Sequence, residues 1–250
     1  MTWADILLLV VAGLLGGGIN SIAGGGSLIV FPAFIATGLP TLAANVTNSV
    51  AQWPGYLGGV IGFRGELDGQ RGRATRLTAV AALGSVAGCV VLLAAPSDSF
   101  DVVVPFLVLL ASLLLAFQPR IARLIGPPKP GAPDSRLIYP VLFVSGGYGG
   151  YFGGALGVIL IGVLALTVHD TLRRINALKT VLSLTASTVT IVAFGFFGPV
   201  DWIGVAVVAP ATLVGGLLGA RIARRLNDRV LRACVVVFGV AVSIFLFLRI

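Results

Sequence analysis

Charge is what this 250-residue chain has least of. Charged residues make up 10% of it and hydrophobic residues 57%, and the mean hydropathy is +1.05. A soluble domain carries about 25% charged residues to clothe its surface, so a water-soluble globule is excluded and the chain belongs in a membrane. Carboxylates are scarcer still: Glu66 and the eight aspartates all lie in loops or at the ends of apolar segments, which leaves no midplane Asp or Glu for a proton relay. The single histidine, His169, has no second His or Cys near it in sequence, so no metal site is expected. Cys89 and Cys234 both sit inside apolar runs and read as small buried hydrophobes, not as a disulfide or metal ligands. An integral membrane enzyme would need a clustered nucleophile, base or metal set. None is present, so the chain reads as a non-enzyme with no cofactor. The start, Met1-Thr2-Trp3-Ala4-Asp5, lacks a basic n-region and reads as a retained membrane segment.

What the chain has in abundance is apolar runs. They cover Ile6–Thr37, Ala43–Phe63, Leu77–Ala95, Val102–Phe117, Leu137–Val168, Ala177–Phe197, Trp202–Ala220 and Val230–Leu248. Six are near the ~20 residues that one helix needs to cross a bilayer. The first and fifth are too long for one helix and short for two, and glycines break each: Gly16-Gly17-Gly18 and Gly24-Gly25-Gly26 in one, Gly146-Gly147, Gly149-Gly150 and Gly153-Gly154 in the other. Whether each crosses twice or is re-entrant, the chain returns to the side it left. The stretches Arg64–Arg76, Arg120–Arg136, Arg173–Lys179 and Arg221–Arg232 then share one side and hold 16 of the 17 basic residues. The basic-loop bias makes that side cytoplasmic and puts both termini outside. The net charge of +8 is therefore topological and implies no nucleic-acid partner.

The second half echoes the first at a shift of 131 positions. Gly16, Gly18, Gly26, Asn45, Val50, Gly84 and Gly88 fall on Gly147, Gly149, Gly157, Asn176, Val181, Gly215 and Gly219, and the order of broken run, polar-studded run and Gly-x-x-x-Gly run repeats. Corresponding loops carry opposite charge bias. The expected fold is thus an all-α polytopic membrane protein of two inverted-topology repeats. Each has a glycine-broken, re-entrant or discontinuous segment followed by three membrane helices. Residues 1–117 form the first repeat, 118–136 a cytoplasmic linker with Pro127, Pro128, Pro130 and Pro133, and 137–250 the second repeat. In such transporters the substrate lies between repeats near the midplane.

Polar side chains mark where that site would be. Asn45, Asn48, Ser49, Gln52 and Tyr56 recur at helical spacing, so one face carries nearly all the polarity of its run. The shift places Asn176, Lys179, Thr180, Ser183 and Ser187 on the equivalent face. Two such stripes suit a shared hydrophilic cavity, although Ser, Thr and Asn also serve simply to bond helices together. Gly24, Gly25, Gly26, Gly153 and Gly154 would let a restarting helix offer backbone N–H groups to a small oxyanion, or would serve close packing. The pairs Gly84/Gly88 and Gly215/Gly219 read as packing only. Lys179, the lone lysine in an apolar run, either pairs with the anion or snorkels to the interface. His169 and Asp170 most simply cap a turn.

These residues carry a resemblance. The segments from Gly16 to Gly26, Gly38-Leu39-Pro40 and Ala44-Asn45-Val46-Thr47-Asn48-Ser49, with Gly146 to Gly154, Asn176-Ala177-Leu178-Lys179 and Gly198-Pro199-Val200-Asp201-Trp202 in the second half, resemble the two repeats of the TauE/SafE sulfite exporter family. One departure is Ser49, where many members carry lysine. The resemblance implies export of sulfite, a sulfonate or a related organic anion across a bacterial inner membrane, and adds Thr47 to the candidate substrate-binding set. A passive anion channel would share every feature used here. Beyond the anion and membrane lipid no partner is implied, and a homo-oligomer is compatible with the sequence.

Overall fold

The computed structural model describes the backbone of residues 1–22, 24–125, 134–222 and 228–248. The prolines of the expected linker, Arg224 and Arg225 of the last basic stretch, and Arg249 lie outside the described residues. Among the described residues the fold is all helix: α1 (Trp3–Ile22), α2 (Ser27–Ala36), α3 (Thr41–Ala51), α4 (Trp53–Gly62), α5 (Arg71–Ala94), α6 (Ser97–Ile125), α7 (Ile138–Tyr151), α8 (Leu156–Thr167), α9 (Leu172–Phe197), α10 (Trp202–Ile222) and α11 (Asp228–Phe247), with one 3₁₀ turn at Arg64–Leu67. Among the described residues five helices, within α1, α5, α6, α9 and α10, are long and apolar enough to cross a membrane. The helix of α6 continues through residues 118–125, which the sequence reading assigned to the linker.

The short helices have local causes. Thr2 and Asp5 cap α1 reciprocally, Thr2 N donating to Asp5 Oδ2 at 2.6 Å and Asp5 N to Thr2 Oγ1 at 3.2 Å. Helix α2 is 10 residues and α8 is 12; at 1.5 Å per residue they reach roughly 15–18 Å, short of a ~30 Å hydrocarbon core. Gly16 faces both Gly26 and Val30, so α2 runs back along α1. The turn between them uses Gly24 at φ +83°, and the turn before α8 uses Gly153 at +73° with Ala155 at +54°. The polar run expected as one helix is two: α3 ends at Ala51 and α4 starts at Trp53, with Pro54 in its first turn. Proline has no N–H to continue the ladder, yet Gln52 N bonds Asn48 O and Tyr56 N bonds Gln52 O at 3.1 and 3.2 Å, so the stripe keeps its face across the joint.

Glycine sets the helix pairing. Helix α1 packs along α10 and α7 along α5. A methyl group on Gly84 or Gly88 would lie 2.1 or 2.0 Å from the carbonyl oxygens of Phe143 and Gly147, and one on Gly215 2.1 Å from that of Leu14. Both Gly-x-x-x-Gly pairs are therefore backbone contacts, as expected. Apolar packing follows in two clusters, one around Phe31, Phe34, Phe100 and Phe194 and one around Leu142, Leu160, Leu164 and Leu182. Cys89 is buried as expected, whereas Cys234 is exposed on α11. The outer surface carries many exposed large apolar side chains, Trp3, Leu83, Val144, Phe196 and Ile203 among them, as a lipid-facing surface requires.

Candidate functional site

Four helices meet at the first turn. Asn20, in the last turn of α1, accepts from Gly26 N through Oδ1 at 2.8 Å and donates through Nδ2 to Gln52 Oε1. Gln52 Nε2 in turn donates to Ser27 Oγ and Asn48 Oδ1, both at 2.8 Å. Asn20, Ser27, Asn48 and Gln52 are all buried. From α9, Lys179 enters the same place and donates from Nζ to the Asn20 carbonyl at 3.3 Å. Its side chain is 1% exposed, so it does not snorkel, and among the described residues no carboxylate pairs with it.

Beside this network lies a narrow cavity of about 20 Å³, room for roughly one water molecule. The two polar stripes do face each other across it: Ser49, Gln52 and Tyr56 line one side, Ser183 and Ser187 the other, with Gly153 and Phe152 from the second turn. Ser187 Oγ donates to Ser49 O at 3.3 Å. Ser183 is 1% exposed, and its hydroxyl has no hydrogen-bond partner in the protein. This wall thus offers hydroxyl donors and an aromatic edge in one chamber.

The other expected residues are placed differently. Asn45 Nδ2 donates to Tyr151 O at 3.0 Å, tying α3 to the end of α7. Thr47 Oγ1 accepts from Asp201 N at 3.0 Å and fixes the loop before α10. Gly24, Gly25 and Gly26 are buried but do not line the cavity. A methyl group on Gly24 would lie 2.5 Å from Gly157 Cα and one on Gly26 2.0 Å from Gly16 O, so Gly24 lets its turn meet the start of α8 backbone to backbone and Gly26 lets α2 fold tightly against α1. Gly154 packs on the Phe152 ring, and its carbonyl accepts from Tyr148 Oη at 2.6 Å. Asn176 lies half-buried on α9. Sequence reasoning missed Asn20 and Ser27 as network members and Phe152 as a wall. The available signal was position, since Asn20 and Ser27 flank the glycine turn on either side.

A second polar cluster lies away from the cavity. Arg73 of α5 pairs with Asp134 at 2.8 Å and Asp170 at 2.9 Å, and Asp170 also pairs with Arg174 at 3.0 Å. Burial works to raise the Asp170 carboxyl, but the Thr171 amide, Arg174 and Arg73 outweigh it and hold the group below the ordinary carboxylate range. Asp170 does bond the Thr171 amide, at 2.8 Å, as the expected turn cap. His169 Nδ1 has no partner.

The model of the family described as "Sulfite exporter TauE/SafE" matches residues 9–246. The chain belongs to the TauE/SafE sulfite exporter family. Similar curated proteins agree on the broad class. A "Probable membrane transporter protein" of Haemophilus influenzae is 27% identical over 94% of this chain and 92% of its own length. "Probable membrane transporter protein ORF9" of Sinorhizobium sp is 25% identical over 96% and 91%, and "Probable membrane transporter protein YfcA" of Escherichia coli K12 is 25% identical over 94% and 87%. No solved structure matches the chain significantly. With its apolar helices, this TauE/SafE member is a multi-pass membrane protein of a transporter family.

Proposed function

We propose that the protein is a secondary transporter exporting a small anion, such as sulfite, a sulfonate or a related organic anion, by alternating access from the chamber between the two turns and the two polar stripes. The observation that carries this reading is Lys179. An ammonium has three N–H donors; this one is buried and, among the described residues, bonds only the Asn20 carbonyl. A buried cation without a counter-charge is costly, and an anion arriving in the neighbouring chamber would supply one. The free Ser183 hydroxyl adds a neutral donor to the same chamber.

Cross-pairing supports the inverted-repeat mechanism. At the shift of 131, Asn20 corresponds to Tyr151 and Asn48 to Lys179. The polar stripe of each half reaches the backbone at the end of the other half's broken helix, Asn45 to Tyr151 O and Lys179 to Asn20 O. The pairing of α1 with α10 is matched by that of α7 with α5. Rocking of one half against the other would move the chamber's walls apart on one side and together on the other. The basic-residue bias favours both termini on the outer side, family membership suits a bacterial inner membrane, and a negative interior favours outward movement of a monoanion by ~2.3 kcal/mol per 100 mV.

A thermal-shift screen of small anions on the detergent-purified chain tests the reading, because a ligand of the native state raises its apparent stability. Sulfite and sulfonates are expected to raise Tm. If they gave no shift while uncharged solutes did, the anion reading would fail.

A further inference from the structure

Outside the proposed chamber, the ends of α5 and α7 flank a partly open cavity of about 360 Å³ with a charged rim and an apolar floor. Its floor is Leu77 and Ile138, each 2% exposed. Its rim holds Arg76, Arg136, Ser135 and Tyr139, together with the Arg73–Asp134 pair. Arg73 is spent: its guanidinium bonds Asp134 at 2.8 Å and Asp170 at 2.9 Å. With Arg174 on Asp170, two arginines and two aspartates cancel. Arg76 and Arg136 are left over. Both are exposed, and among the described residues neither has a carboxylate within 4.0 Å and Arg76 bonds only the Gly72 carbonyl of its own helix, at 3.2 Å.

We infer that this cavity binds the phosphodiester headgroup of an anionic phospholipid. Two guanidiniums match phosphate oxygens in geometry and charge, and basic pockets between membrane helices at the headgroup level suit such lipids. Ser135 Oγ accepts from Leu137 N at 3.3 Å and keeps its own hydroxyl proton to donate. Below the rim the surface is apolar: Leu137, just before α7, and Val141 and Val144 on it are exposed, and Leu83 and Val90 are exposed on α5. Glycine contacts hold these helices side by side, so their outer faces give acyl chains a track leading away from the rim. The Arg73–Asp134 pair on the rim continues through Arg73 to Asp170, which ties α5 to the turn before α9, so the bound lipid stabilises that joint.

The test is thermal unfolding of the detergent-purified full chain with phosphatidylglycerol, with phosphatidylcholine, or with inorganic phosphate. Phosphatidylglycerol should raise Tm by about 5 °C over phosphatidylcholine, phosphate should give no rise, and R76Q/R136Q should lose the gain while R76K/R136K, which keeps the charge without the paired donors, keeps only part of it. Equal Tm in the two lipids, or an undiminished gain in R76Q/R136Q, overturns the inference. A phosphate effect as large as that of phosphatidylglycerol overturns the lipid as the source and assigns the rim to free anions. Should R76Q/R136Q fail to fold, native mass spectrometry of the unaltered chain decides: preferential retention of phosphatidylglycerol supports the site, and equal retention of both lipids overturns it.

Discussion

Replacing Lys179 by methionine removes the buried ammonium while keeping a long flexible side chain on α9. Lys179 is 1% exposed and makes one 3.3 Å contact, to the Asn20 carbonyl, so little native bonding is lost and the burden of burying a charge is lifted. The variant should therefore unfold at the same temperature as the unaltered chain, or higher. Anion binding should behave oppositely. A hydrogen bond to a charged group contributes about 1.5–3 kcal/mol, and every 1.4 kcal/mol is tenfold in affinity; Lys179→Met should thus weaken sulfite or sulfonate binding roughly 10- to 150-fold. Titration calorimetry on the detergent-purified variant gives Kd, and thermal unfolding of the same sample reports on the fold. A Kd within about twofold of the original in a folded variant would refute the role given to Lys179.

Three further outcomes follow from the same geometry. Ser183→Ala should leave Tm within about 1–2 °C of the original, because the Ser183 hydroxyl bonds nothing in the protein, yet it should weaken anion binding several-fold; calorimetry and unfolding together check both halves. Gly88→Ala puts a methyl group 2.0 Å from Gly147 O, forcing α5 from α7 and lowering stability by about 1–3 kcal/mol, read as a lower Tm without ligand. Asp170→Asn breaks bonds to Arg73 and Arg174 and should cost about 1–3 kcal/mol at pH 7. Since the folded carboxyl is held below its unfolded value, its contribution is present above about pH 4 and is lost as pH falls through the folded value. The Tm gap between Asp170→Asn and the unaltered chain should accordingly narrow on acidification.

The parts of this molecule legible in its sequence are those governed by period and composition. Scarcity of charge announced the membrane, helical spacing announced the stripes of Ser49–Gln52–Tyr56 and Ser183–Ser187, and the four-residue glycine spacing at 84/88 and 215/219 announced the tight helix pairs. What depended on three-dimensional closure was less legible. Gly24 and Gly26 look the same in sequence whether they present amides to an anion or let Gly24 touch Gly157, and only the packing distinguishes these. Asn20 was overlooked because its partners, Gly26 and Gln52, lie 6 and 32 residues away, beyond any helical repeat. Pro54 divided an apparently continuous helix into α3 and α4 without turning its polar face, a joint that hydrophobicity alone does not register.

Flux in proteoliposomes tests the transport claim most directly. With labelled sulfite or a labelled sulfonate outside and unlabelled anion loaded inside, alternating access predicts saturable uptake that accelerates as the trans concentration rises, since the loaded site returns faster than the unloaded one. Uptake that rises linearly with concentration and is indifferent to trans anion would contradict a carrier and leave an anion channel in its place.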